Sequence, residues 1–301
     1  MRTEAELAEA YEQARPRLLR IAYVVLGSYT EAEDVVSDCW LRLAEANARE
    51  PVLDVEAWAT VAVVRRAQDV LRSARVRRER YVGPWLPEPV VGDALHPRHL
   101  GSVDPADRVT LDDTVSFALL VVLETLSPAE RTAWVLHDLF GMEFSEIARV
   151  VGRSSAAVRQ LATRARRHVA AGAPRIDVDA AEHEATVAAF TRAAAGGDLA
   201  DLLAVLDPDV TLTSDGGGKV TAARRPVHGA DRVARFLLGA TRKLGPDERV
   251  VPLDVNGARG LAVARGETVT AVVSLTVWEG RITRIDLVMA PDKLVHLRVR
   301  V

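Results

Sequence analysis

A change of hydrophobic period constrains this 301-residue chain more than any other feature. Apolar residues recur every three or four positions from Leu7 to about Arg80, and again from Val109 to the "AAGAP" run at Ala170–Pro174, the mark of amphipathic helices. Beyond Pro174 the texture differs. Strand-like runs at Val210–Thr213, Gly260–Ala264, Thr268–Trp278 and Ile282–Val288 interleave with short helical segments at Glu184–Ala195, Leu199–Leu206 and Ala230–Leu244. Glu279-Gly280 between the last two strands predicts a hairpin. A chain of this length exceeds one ordinary core, so two or three modules are expected, helical first and helix-plus-sheet last.

The helical part carries its own punctuation. Leu18, Ile21, Ala22, Val25 and Leu26 form one stripe that Gly27 ends. Thr30, with Glu33 three residues on, reads as an N-cap opening the helix of Val35, Val36, Cys39, Trp40 and Leu43. A further helix follows Pro51, with Ala57, Trp58, Val61, Val64 and Leu71 inward. Ser127-Pro128-Ala129-Glu130 joins a capping box to proline at the first helical position. Trp40, Trp58 and Trp278 are expected in cores. Gly83 to Pro105 shows no period and reads as a linker. Its "YVGPWLPEPV" opening places Trp85 among three prolines.

Composition excludes several classes. Nearly half the residues are apolar and the net charge is −3, as in soluble globular proteins. The single cysteine, Cys39, rules out an internal disulfide and a cysteine-based zinc site, which fits a reducing cytoplasm. Glutamates interrupt the N-terminus where a secretory signal would be apolar, and no window approaches eighteen apolar residues, so no membrane span is expected. His96-Pro97-Arg98-His99 lacks carboxylates or cysteines at ligand spacing; neither metal nor cofactor is expected.

Charge distribution says more than the total. In "EFSEIARVVGRSSAAVRQLATRARRHV", Phe144, Ile147, Ala148 and Val151 face inward before Gly152 permits a tight turn. A second helix, capped by Ser154 or Ser155, then buries Val158, Leu161 and Ala165, the spacing of a helix-turn-helix. Arg149, Arg153, Arg159, Arg164, Arg166 and Arg167 meet no acidic residue between Glu146 and Asp177, leaving guanidinium groups for phosphates or guanine edges. Farther upstream, Glu31 to Glu56 holds eight acids and two arginines, while Arg65 to Arg80 holds seven arginines against Asp69 and Glu79. Two macromolecular partners explain that polarity; mutual neutralisation between neighbouring helices explains it equally.

At this point a resemblance emerges. "SYTEAEDVVSDCWLRL" resembles the core-polymerase-binding helix in region two of bacterial sigma factors, and "EAWATVAVVRRAQDVLRSARVRRER" resembles the promoter −10 segment that follows it. "LSPAERTAWVLHDLFGMEFSEIARVVGRSSAAVRQLATRARRHV" looks like region four, the −35 reader. Only these two regions are present, as in the extracytoplasmic-function group of the sigma-70 family. "GPWLPEP" and "DGGGK" look like the subgroup with a SnoaL-like extension of the NTF2-like fold, with "NGARG" and "APDKL" at matching places. Ser37 stands where the family commonly has glutamine, and Arg259 where the subgroup more often has proline.

The resemblance implies two all-α domains followed by an α+β NTF2-like cone, with region two at 1–82, a linker at 83–108, region four at 109–173 and the extension at 174–301. Glu33, Asp34 and Asp38 would engage the β′ clamp of RNA polymerase core. Arg65, Arg66, Arg72, Arg75 and Arg78 would lie at the −10 element; Ser154, Ser155, Arg159, Arg164, Arg166 and Arg167 would meet −35 DNA. Regulatory contacts are expected at Trp85, Leu86, Pro87, Glu88 and Pro89, at Asp215, Gly216, Gly217, Gly218 and Lys219, at Asn256 and Gly257, and at Pro291, Asp292, Lys293 and Leu294. Trp85 is expected to supply a large buried contact on a proline-stiffened linker. In-chain control of this kind implies no obligatory separate anti-sigma factor and allows an unidentified small ligand in a C-terminal pocket.

Other readings stay open. "DGGGK" fits a tight inter-strand loop, a phosphate cradle or a contact with the sigma core; Thr213 and Val220 break the Walker pattern. A SnoaL-like enzyme would use Asp215 or Asp286 beside His228. A DNA-binding repressor would act without polymerase.

Overall fold

The computed structural model describes residues 3–78, 81–91, 115–172 and 179–299. His96, His99 and the expected helix onset at Val109 lie outside them. The chain divides into two compact units; the first gathers most of both helical stretches, and the second takes Arg80–Gly92 and Ser116–Leu119 together with Ala173–Val301.

In the helical unit, α1 (Glu4–Leu26) opens on a Thr3–Glu6 capping box and ends where Gly27 turns left-handed at φ 71°. The chain restarts at once: Ser28 is extended and its hydroxyl accepts from Glu31 N–H, so it, and not Thr30, caps α2 (Tyr29–Arg49). Asp54 accepts from Ala57 N–H at 2.9 Å near the start of α3 (Val55–Arg78). The second stretch holds α4 (Phe117–Leu123), α5 (Pro128–Trp134), α6 (Phe144–Val151) and α7 (Ser155–Gly172). The Ser127–Glu130 capping box forms as the sequence predicts. A π turn over Val135–Leu139 follows α5, and left-handed Gly152 joins α6 to α7.

The two stretches share one apolar cluster. Ile21 of α1 and Val64 of α3 pack with Leu136, Ile147, Val158 and Leu161. Each such side chain contributes roughly 1.5–3 kcal/mol when fully buried, so this cluster dominates the stability of the contact. A polar seam fixes its register. Arg131, 1% exposed, donates Nε–H to the Val24 carbonyl at 3.0 Å. Its guanidinium also pairs with Glu124, which pairs in turn with Arg78. Arg78 donates to the Leu26 carbonyl at 2.8 Å.

The second unit places α8 (Ala180–Gly196), α9 (Leu199–Val205) and α10 (Ala230–Thr241) against a six-stranded sheet. Its strands are β1 (Leu206–Asp215), β2 (Val227–His228), β3 (Glu248–Val255), β4 (Ala258–Arg265), β5 (Thr268–Trp278) and β6 (Arg281–Val288). The order is β2-β1-β6-β5-β4-β3, with β1 and β6 parallel and the other pairs antiparallel. This is the α+β arrangement expected of the extension. Leu212, Ile285 and Leu275 stand in register across β1, β6 and β5 and meet Phe190, Leu202 and Val233 of the helices. Thr213 and Asp215 alternate onto the opposite face. Asn256-Gly257 and Glu279-Gly280, all at positive φ, close two-residue hairpins. A last short helix, α11, spans Pro291–Leu294. No helix among the described residues is long and apolar enough to cross a membrane.

Replacing Glu124 by glutamine leaves two nearly buried guanidinium groups without their shared carboxylate. Glu124→Gln is expected to cost about 3 kcal/mol, read as a fall in the urea midpoint of the full chain; a midpoint within error of wild type would refute this role for the seam.

Candidate functional site

Residues 81–91 form a strap on the C-terminal unit, and its anchor is Asp215 at the end of β1. That carboxylate is fully buried, where an uncompensated charge would be strongly unfavourable. Four donors reach it: Tyr81 hydroxyl at 2.7 Å, Leu86 N–H at 2.9 Å, Gly217 N–H at 2.9 Å and Lys293 Nζ at 2.6 Å. Burial, reinforced by the hydrogen bond to Asp215, pushes the Tyr81 phenol well above its ordinary value, so it remains a donor. Lys293, on α11, also donates to the Leu86 carbonyl. Its ammonium lies 3.9 Å from the Trp85 ring centroid and 5.3 Å from that of Tyr81.

Trp85 is therefore half-buried, a roof over an ammonium group rather than the buried contact that its size suggested. The buried strap residues are Leu86, Pro87, Glu88, Pro89 and Val90. Glu88 carboxylate lies 3.2 Å from His296 Nδ1. Farther along, Asn256 Oδ1 accepts from Val90 N–H at 3.2 Å, and Asn256 N–H donates to the Val90 carbonyl at 2.8 Å. Val91 forms an antiparallel bridge with Val255.

The glycines of "DGGGK" follow from this packing. A Cβ on left-handed Gly217 would lie 3.1 Å from Ala290 Cβ, and one on left-handed Gly218 would lie 3.2 Å from Val82 Cβ. A Cβ on Gly216 would meet the Val220 carbonyl at 2.5 Å. The run is thus a loop between β1 and β2 that the strap closely approaches. Lys219 pairs with both Asp292 oxygens at 2.7 Å. Pro291 begins α11, and Leu294 ends it in a buried position.

Asp286 and His228 do not join Asp215. Asp286 is buried and forms a two-point pair with Arg284 at 2.7 and 2.8 Å; burial pushes its carboxyl above the usual range against that pairing. His228 is exposed, its Nδ1 lying 3.1 Å from Thr211 Oγ1. A cavity of about 290 Å³ elsewhere in the unit is lined by His183, Glu184, Asp254, Gly257 and Arg259 among others. Its charges are already engaged: Arg259 lies 3.3 Å from both Glu184 and Asp254, and a His183 ring nitrogen contacts the Arg259 carbonyl at 2.8 Å. Asp215, His228 and Asp286 do not line it. Among the described residues, no three His, Cys, Asp or Glu side chains gather to hold a metal.

In the helical unit, Ser154 accepts from Ala157 N–H at the start of α7, while Val158, Leu161 and Ala165 are buried. Arg159, Arg164, Arg166 and Arg167 project from its exposed face. Arg164 lies 3.5 Å from Glu130 and Arg166 2.6 Å from Asp138. The α3 arginines point less freely than their spacing suggested. Arg65 donates to the Val150 and Arg149 carbonyls at 2.9 and 3.1 Å, capping the end of α6. Arg66 stands 3.8 Å from Asp38, so part of the charge polarity is neutralisation between helices. Arg72 pairs with Asp69, and Arg78 is drawn inward to Glu124. The side chain of Arg75 lies outside the described residues.

Glu33 is half-buried, whereas Asp34 and Asp38 are exposed on α2. Leu41, one turn beyond Asp38, is 62% exposed on the same face. Sequence reading missed it, because a single leucine off the Val35–Leu43 stripe carries no signal of its own; only its packing distinguishes it.

Residues 10–77 match the family described as Sigma-70 region 2, and residues 116–169 match Sigma-70, region 4. The ECF RNA polymerase sigma factor SigJ of Mycobacterium tuberculosis is 39% identical, across 94% of this chain and 91% of its own. The probable ECF RNA polymerase sigma factor SigI of the same species is 36% identical, across 97% and 96%. The crystal structure of SigJ matches with a TM-score of 0.74 and 35% identity, covering 96% of this chain and 98% of that one. The protein belongs to the extracytoplasmic-function sigma factors of the sigma-70 family, in the form that carries a C-terminal α+β extension.

Proposed function

We propose that this sigma factor brings RNA polymerase core to specific promoters and that its C-terminal unit governs it in cis through the strap. The carrying observation is the Asp215 clasp, because the segment it holds connects the two helical stretches in sequence. With residues 81–91 bound, the connector available between the −10-facing and −35-facing helices is shorter; with them free it is longer. A shift between those populations changes the spacing at which both elements are read.

In this reading, Asp34, Asp38 and Leu41 meet the β′ clamp, an exposed leucine among carboxylates giving the contact an apolar centre. Helix α3 faces the −10 element and α7 the −35 major groove. Arg65, Arg66 and Arg78 must exchange their present partners for DNA, which makes the observed arrangement a resting one. The working boundaries are 1–82 for region two, 109–173 for region four and 174–301 for the extension. A small ligand in the cavity has a short route to the strap, since Gly257 lines the cavity and Asn256 holds Val90. Control within the chain makes a separate anti-sigma protein unnecessary. The C-terminal unit has no catalytic role here, Asp215 being committed to the clasp.

Asp215→Asn removes the charge that holds Lys293 while keeping the side chain's shape. Run-off transcription with core polymerase is expected to rise several-fold over the full wild-type chain; a fall would mean that the bound strap assists initiation. Asp34→Ala, Asp38→Ala and Leu41→Ala together are expected to weaken binding to purified core by at least about tenfold. Unchanged binding would remove α2 from the polymerase interface.

A further inference from the structure

We propose that Phe144 and His137 are positioning residues for Arg159, holding its guanidinium ready for one guanine of the −35 element. This rests on the assignment of α7 as the DNA-reading helix. Three arginines of α7 are held in two different ways. Arg164 and Arg166 face the carboxylates of Glu130 and Asp138, and must leave them to bind DNA. Arg159 has no ion pair among the described residues; its Cζ instead lies 5.3 Å from the Phe144 ring centroid.

The distinction matters chemically. A carboxylate occupies guanidinium N–H donors, whereas an aromatic face attracts the cation through its quadrupole and leaves the donors uncommitted. Two-point recognition of guanine O6 and N7 needs those donors, together with a fixed guanidinium plane. Contact with the ring restricts the plane before DNA arrives, so less rotamer freedom is lost on binding.

The ring is itself restrained. Phe144 opens α6 and packs against the shared apolar cluster. Its centroid lies 3.9 Å from that of His137, the rings inclined by 27°. His137 sits on the π turn and donates Nδ1–H to the Met142 carbonyl at 2.9 Å, which orients the imidazole. Left-handed Gly141, at φ 64°, turns the chain back, and its N–H donates to the His137 carbonyl at 3.1 Å. A line of contacts therefore runs from the core through an imidazole and a phenyl ring to a cation on the exposed face of α7.

The test uses the full chain with core polymerase and a pool of linear duplexes randomised over both promoter elements, sequenced after selection. Arg159→Ala and Phe144→Leu are each expected to lose about tenfold preference at one and the same −35 base pair, while Phe144→Tyr, which keeps the ring, retains it. Unfolding midpoints accompany each variant. The proposal is overturned if Phe144→Leu keeps the preference that Arg159→Ala loses, or if its loss spreads evenly over all positions with a lowered midpoint. It also fails if Arg159→Ala changes no base preference, although α7 would remain a reader through other residues. If the wild-type chain selects no −35 sequence at all, the assignment of α7 itself falls, and the proposal with it.

Discussion

Three separate segments of the C-terminal unit converge on one buried charge. Asp215 is removed from water at the end of a central strand, and such a carboxylate persists only with its lone pairs satisfied and a cation beside it. Its partners come from three places in the chain: the strap, the loop that follows β1, and α11. None of those segments is long enough to hold its own conformation. The carboxylate joins the strap, the glycine loop and α11 into a single structure. Proline and apolar burial at Leu86–Val90 then hold the rest of the strap against the sheet.

The helical unit follows a related logic with the signs reversed. Arg131 is nearly inaccessible, and Glu124 serves it and Arg78 at once. Pairs of this kind contribute little net stability against a well-packed apolar alternative, but they discriminate strongly between one docking and another. The apolar cluster supplies the affinity between the two helical stretches; the seam supplies the geometry. Several arginines of the basic run on α3 are thereby committed to the protein's own carbonyls and carboxylates.

Much of this was legible in the sequence wherever a local rule decides the outcome. Gly27, Ser127 with Glu130, Gly152 and Glu279-Gly280 each terminate or turn the chain as their chemistry requires. Ser28 rather than Thr30 is the cap, its hydroxyl already in place for Glu31 N–H directly after the left-handed glycine. Strand β3 escaped notice: Pro252 and the exposed Val250 break the pattern of a buried strand, and an edge strand tolerates both. What stayed hidden was tertiary. Nothing near Arg78 in sequence indicates Glu124, nothing near Arg159 except the later fold indicates Phe144, and the size of Trp85 suggested burial where its neighbour Leu86 fills the interior.

The order of synthesis gives the clasp a further meaning. Leu86 and the lysine that holds its carbonyl are 207 residues apart, so at ordinary translation rates roughly 10–40 s separate their emergence. Once Gly172 has emerged, both helical stretches exist before the Lys293 contact can form. The clasp is thus a late contact of synthesis, because the lysine that closes it follows the strap by so much of the chain.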